Sequence, residues 1–235
     1  QNGGWPLNMF LTPDGRPFTG GTYFPPDDRF GRNSFREVLE KIRGYWENDR
    51  DAIFDNAGKI TDYLKQKSVI HSLDEGEPDN KLEQEVFQSF SKFFDSDYGG
   101  FSFQAQNKFP PSMGLMFLLR YYQKTGEKTA LQMVEQTLRK MLAGGIYDQI
   151  GGGLCRYSTD YQWLVPHFEK MLYDNALFVW ALTETYQVTQ DHFYKDAIED
   201  VLTYLERDLH QDKGGFYSAE DADSEGEEGK FYVWK

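Results

Sequence analysis

Helical stretches of two kinds alternate through the last two thirds of this sequence, and glycine doublets divide them. Leu82, Val86, Phe90, Phe93 and Phe94 recur at helical spacing on one face. Met113 to Tyr122 is apolar nearly all round. Leu131, Val134, Leu138 and Met141 again form a single stripe, Phe168 to Leu182 is apolar on all sides, and Phe193, Ala197, Val201, Leu205 and Leu209 return to one side. A helix apolar all round must be covered all round, whereas a striped helix keeps a wet face. The order is therefore outer, inner, outer, inner, outer.

Asp97-Tyr-Gly-Gly-Phe101 and Asp212-Lys-Gly-Gly-Phe216 are near copies, and Gly152-Gly153-Leu154 is a looser third. One helix pair and one loop fit between successive doublets, the mark of a repeat architecture. Each doublet follows an outer helix and precedes an inner one, so the three long loops are expected on one rim of a two-layered array. Glycine suits such loops because it reaches φ > 0 without steric cost.

The first 67 residues read differently. Leu7 to Leu11 and Phe18 to Phe24 flank Thr12-Pro13-Asp14-Gly15, a turn sequence with proline at the second position, so a β-hairpin is expected. Pro25-Pro26 closes it. Ser34 is a candidate N-cap with Glu37 at the capping-box position, ahead of Phe35, Val38, Leu39, Ile42 and Trp46 at helical spacing. A second helix is expected over about Asp51 to Lys65. Residues 68–81 hold Gly, Pro, Asn and acids with few apolar groups and read as a linker. The expected domains are thus 1–67, a linker at 68–81, and 82–235.

The net charge of -13 repels phosphate backbones and anionic lipid, so neither nucleic acid nor a membrane is an expected partner. No apolar run approaches the roughly 18 residues of a membrane span. Cys155 is the single cysteine, which excludes an internal disulfide and a thiolate metal cage; a reducing, cytoplasmic setting is expected, with no metal and no cofactor. The opening on Gln1 and the stop after Phe231-Tyr-Val-Trp read as cuts through a longer protein.

Gly3-Gly-Trp-Pro-Leu-Asn-Met-Phe-Leu-Thr-Pro13, Gly20-Gly-Thr-Tyr-Phe-Pro-Pro26 and His167-Phe-Glu-Lys-Met-Leu-Tyr-Asp-Asn-Ala176 resemble the spermatogenesis-associated protein 20 family. That resemblance implies the C-terminal β-hairpin and helices of a thioredoxin-like fold, followed by the first hairpins of a six-hairpin (α/α) toroid of the glycosidase and epimerase kind. The fold is then mainly α. It further implies that Pro6 is the cis-proline facing a redox site whose Cys-x-x-Cys lies outside this sequence, so thiol oxidoreduction does not carry over to it.

The candidate chemistry sits around the second glycine loop. His167 and Glu169 are expected to open an inner helix, with Asp174 seven residues on and on the same face. A carboxylate on an apolar helix is costly to bury unpaired, which marks it as a candidate acid or base. Asp221 and Asp223 are candidates for a second carboxylate; Asp221, Asp223, Glu225 and Gly226 also echo a calcium loop, but Tyr232 stands where the bidentate Glu is needed. Tyr147, Asp148, Arg156, Tyr157 and Trp163 are candidates to line a carbohydrate cleft, Trp163 by stacking on a sugar ring. The leading expectation is a toroid that binds or modifies a carbohydrate, as an epimerase, isomerase or glycosidase. The alternative is a non-catalytic interaction or redox-regulatory module that recruits partner proteins through its thioredoxin-like part.

Overall fold

The computed structural model describes residues 6–28, 31, 33–68, 80–101 and 107–234. The chain divides into two compact units, Gln1–Glu77 and Pro78–Lys235. Nearly all of the expected linker at 68–81 lies outside the described residues, as does Trp5, the partner of Pro6 in the expected cis bond.

In the first unit, strands β1 (Asn8–Leu11) and β2 (Pro17–Gly21) pair antiparallel. The Thr12 and Gly15 N–H groups close the turn on the Arg16 and Thr12 carbonyls, and Gly15 takes φ +84°. Helix α1 (Phe35–Asn48) starts at Ser34, whose hydroxyl accepts from the Glu37 N–H at 3.3 Å, half of the expected capping box; the Ser34 N–H donates to Asp28 Oδ1 at 2.6 Å instead of to Glu37. Helix α2 (Arg50–Ser68) extends a little beyond the predicted span. Phe18, Ile53 and Ala57 form a small core with Phe10, Ile42 and Trp46 against it. The Asn56 amide donates to the Phe18 carbonyl and ties α2 to the hairpin.

The second unit is a helical array: α3 (Asn80–Phe93), α4 (Ser112–Thr125), α5 (Lys128–Ala143), α6 (Leu172–Thr189) and α7 (His192–Tyr204), the last continued by a π-helical turn over Leu205–Leu209. Helices α4 and α6 pack side by side as the inner pair, with α5 and α7 as their hairpin partners. Helix α5 buries one stripe, Ala130, Met133, Val134, Leu138 and Met141, as predicted for an outer helix. The inner helices are less enclosed than their composition predicts. Met113, Tyr173 and Trp180 are exposed, so one side of the inner layer is uncovered among the described residues. The α4–α5 connection turns on Gly126 at φ +75°, and α6–α7 on Gln190 at φ +58°; each donates its N–H back to a helix carbonyl, the left-handed cap.

The glycine doublets form three equivalent tight loops at the other ends of the outer helices. Bridges Phe94–Phe101, Tyr147–Leu154 and His210–Phe216 clamp them, and all six glycines of the doublets have positive φ. The first two rest on the following outer helix. The Gly100 N–H donates to the Thr137 hydroxyl of α5 at 2.8 Å, while Gly152 and Gly153 lie against Tyr204 of α7. The Trp163 indole donates to the Tyr98 carbonyl, and the Leu172 N–H donates to the Ser218 carbonyl, so the three loops are laced along one rim.

Two buried ion pairs repeat with the loops. Lys108 meets Asp95 at 2.7 Å and the Tyr161 carbonyl; Lys170 meets Asp148 at 2.8 Å and the Gly152 carbonyl. The Lys108 ammonium lies over the Trp163 ring and the Lys170 ammonium over the Tyr204 ring. The third loop has Gln211 where these have Asp, its N–H bonded to the second glycine of the doublet in the same way, so that position carries no counter-charge for a lysine.

Candidate functional site

The segment His167–Met171 is extended, not helical as the apolar run suggests. Its backbone donors and acceptors are used across strands: Tyr157–Ser158 (β3) pairs with Pro166–His167 (β4), and Lys170–Met171 (β5) pairs with Ala219–Glu220 (β6). The Arg156 N–H donates to the Glu169 carbonyl between them. Helix α6 therefore begins at Leu172, and Asp174 occupies its first turn. Side chains of an extended segment alternate. His167 and Glu169 share one face, while Phe168 and Lys170 take the other.

On the first face lies a polar cluster. His167 stacks on its cross-strand partner Tyr157, ring centroids 4.9 Å apart, and Tyr157 packs in turn on Phe109. The His167 Nε2 is 3.8 Å from Glu169 Oε2, and that oxygen receives Arg156 Nη1 at 2.7 Å. Asp174 feels the charges of Arg156 and Glu169 in this cluster. Burial pushes its carboxyl up to about 6, against the opposing pull of Arg156 and with reinforcement from Glu169. Its Oδ2 is buried with no hydrogen-bond partner among the described residues. His167, Glu169, Arg156 and Tyr157 adjoin one another, and Asp174 feels Arg156 and Glu169; an extended segment and a helix terminus bring them together rather than the single expected helix face.

A raised carboxyl pKa has a defined sign in stability. Ionising Asp174 costs the folded state more than the unfolded one, so its contribution is fully favourable below the ordinary value of 3.8 and is lost as pH rises through about 6. Asp174→Asn is therefore expected to stabilise the protein at pH 7.5 by roughly 1–3 kcal/mol, with the gain vanishing below pH 4. Urea denaturation of both proteins at the two pH values checks this.

On the second face, Phe168 stacks on Tyr232, and Lys170 with Asp148, Arg207, Glu220, Tyr232 and Trp234 borders a cavity of about 640 Å³. Asp148 reaches this cavity rather than the His167 cluster. Its carboxyl is held below the usual range: burial works the other way, but the Lys170 ammonium and the Gly151 and Ile150 N–H groups outweigh it.

Three expectations need correction. Trp163 is fully buried at φ +68°, under Lys108 and bonded to Tyr98, so it presents no face to a sugar ring. Tyr147 is buried and gives its hydroxyl to Asp200 of α7; burial raises its pKa, and the Asp200 carboxylate adds to the rise. Asp221 and Asp223 are exposed; the Asp221 carboxylate accepts from the Asp223 N–H, and neither meets His167. The residue that does is Glu228. Strand β7 (Asp223–Ser224) pairs with β8 (Glu227–Glu228), Asp223 directly opposite Glu228, and Glu228 Oε1 lies 2.6 Å from His167 Nδ1. Nothing local in the sequence marks Glu228, because it stands in an acidic run and acts across a loop.

Residues 1–65 match a thioredoxin-type family, Thioredox_DsbH, described as a protein of unknown function, DUF255. The whole chain is 43% identical to human spermatogenesis-associated protein 20 and 42% to the mouse protein, and 95% of it is 36% identical to an uncharacterized protein of Caenorhabditis elegans. This bears out the resemblance read from the motifs. The chain spans 31% of the length of each of these relatives. Among solved structures, a sugar epimerase from a ruminal bacterium superposes with a TM-score of 0.53 at 18% identity, over 58% of this chain and 37% of that one. A cellobiose 2-epimerase from Bacillus thermoamylovorans gives 0.52 at 18% identity, over 60% and 40%. A family 76 mannosidase from Bacteroides thetaiotaomicron gives 0.51 at 16% identity, over 59% and 38%. At such identities the likeness is one of fold: the helical unit is built of helical hairpins like part of the toroids in the six-hairpin glycosidase class. No helix among the described residues is long and apolar enough to cross a membrane.

Proposed function

We propose that the rim of the helical unit binds a carbohydrate and acts on it by acid–base chemistry, with His167 and Asp174 as the proton-transferring pair. The observation that carries this reading is the Asp174 carboxyl. It is half-buried, has one buried oxygen without a partner among the described residues, is raised to about 6, and feels Arg156 and Glu169, which adjoin His167. A group poised near neutral pH beside a second titratable group is what proton transfer at a sugar carbon or ring oxygen requires. Arg156 is suited to bind hydroxyl or carbonyl oxygens, and Tyr157 offers an aromatic wall. The epimerase and mannosidase neighbours act on sugars, and toroids of this fold lend the reading support by analogy only. The domain division at about residues 68–81 and a cytoplasmic setting belong to the same reading. Burial pushes the free Cys155 thiol up to about 12, so it is inert in a reducing compartment.

A glycan array probed with the complete protein, with Asp174→Asn alongside, tests this directly. Binding to a restricted set of glycans, altered in the variant, is expected. No glycan above background in either protein would overturn it.

A second reading has its own observation. The first unit carries an apolar cavity of about 420 Å³ lined by Phe18, Val38, Ile42, Tyr45 and Ile53, a surface suited to a hydrophobic partner segment. Photocrosslinking from position 45 in cells would recover a partner protein under this reading; exclusively intramolecular crosslinks would count against it.

A further inference from the structure

We infer that Glu228 is a positioning residue for His167: it fixes the imidazole as the Nδ1–H tautomer and so makes Nε2, on the Glu169–Arg156 side, the proton-accepting atom. The argument begins with donor inventory. An ionised carboxylate only accepts hydrogen bonds, so the 2.6 Å contact from His167 Nδ1 to Glu228 Oε1 requires the proton on Nδ1. The neutral ring then has its lone pair on Nε2. The nearest carboxylate oxygen there, Glu169 Oε2, is 3.8 Å away, too far for a hydrogen bond, and is already engaged by Arg156. Nε2 is left on the Arg156 and Glu169 side with no hydrogen-bond partner among the described residues, and stacking on Tyr157 holds the ring plane.

The backbone is built to deliver Glu228 to this position. Gly229 has φ +72°, donates its N–H to the Ala222 carbonyl and closes the β7–β8 hairpin. A Cβ on it would stand 2.6 Å from the Phe168 ring, so only glycine lets the hairpin lie on Phe168. Phe168 is the sequence neighbour of His167, and residue 228 is thereby seated beside the imidazole. Half of the Glu228 side chain is exposed, so its carboxylate contributes little to core packing.

This inference deepens the proposed acid–base reading and rests on it for its consequence, but its test needs no sugar, so the two can fail separately. The 235-residue chain, labelled with ¹⁵N at its four histidines, is examined by long-range ¹H–¹⁵N correlation at pH 8.5, with His167→Gln giving the assignment. His167 is expected to show a protonated Nδ1 and an unprotonated Nε2. Glu228→Ala, and separately Gly229→Ala, which keeps the carboxylate but displaces it, are both expected to shift the majority to the Nε2–H form that free imidazole favours in histidine. Unchanged circular dichroism serves as the folding control. A wild-type His167 that is mainly Nε2–H, a doubly protonated ring at that pH, or a tautomer indifferent to Glu228→Ala would each overturn the assignment.

Discussion

Asp148→Ala is expected to destabilise the helical unit by roughly 3–5 kcal/mol, because it leaves the Lys170 ammonium buried without its counter-charge. Lys170 is 2% exposed, and its remaining neutral partner is the Gly152 carbonyl. Asp148 is equally committed, since its other oxygen accepts from the Ile150 and Gly151 N–H groups and shapes the second glycine loop. The unfolding midpoint should fall by about 10 °C or more for a unit of this size. The double replacement Asp148→Leu with Lys170→Met should recover most of the loss, since an apolar pair removes the desolvation penalty that the single change leaves exposed. The same pair sets an acid limit. A carboxyl held below its ordinary 3.8 contributes stability that is present above that value and is lost as pH falls beneath it. Asp95, paired with Lys108, behaves alike. Thermal melts of the single and double variants, from pH 7 down to 3, measure all of this.

Gly153→Ala should rank next, at roughly 2–5 kcal/mol, the sum of a backbone and a packing cost. The backbone holds φ +82°, costing about 1–2 kcal/mol for any residue with a Cβ. The new methyl would lie 2.5 Å from Tyr204 Cδ1 and 2.7 Å from Cε1, and overpacking of that kind typically adds about 1–3 kcal/mol. Tyr204 cannot yield easily: it is 1% exposed and its hydroxyl donates to Glu220. Gly214→Ala is the matched control. It sits in the third loop at φ +90°, but no atom lies within 4 Å of the place its methyl would take, so only the backbone cost of about 1–2 kcal/mol applies. Denaturant midpoints of the two variants should therefore differ clearly, and equal losses would mean that the second loop does not seat on α7.

What is legible in the sequence follows from local periodicity. The stripe on α5, the Ser34 cap and the positive-φ doublets each depend on residues close in the chain, and all three are present. The His167–Met171 segment misleads for the opposite reason. Its apolar spacing continues smoothly into α6, yet its hydrogen bonds are claimed by Tyr157, Ser158 and Ala219 from distant loops. Trp163 has the composition of a binding platform, but an aromatic ring is also the best filler beneath a buried lysine. Burial of that kind is decided by Gly144 and Gly145, against whose Cα atoms the Trp163 and Leu164 backbone packs. Glu228 is out of reach altogether, since its role depends on a two-residue strand folding back on His167.

The central claim is that the rim holds Asp174 as a half-buried acid coupled to Arg156 and Glu169. Carboxyl ¹³C titration of Asp174 tests it most directly. A midpoint near 6 is predicted, rising further in Arg156→Met, where the cation that favours the charged form is gone. A midpoint near the ordinary 3.8, unmoved by that substitution, would contradict the account.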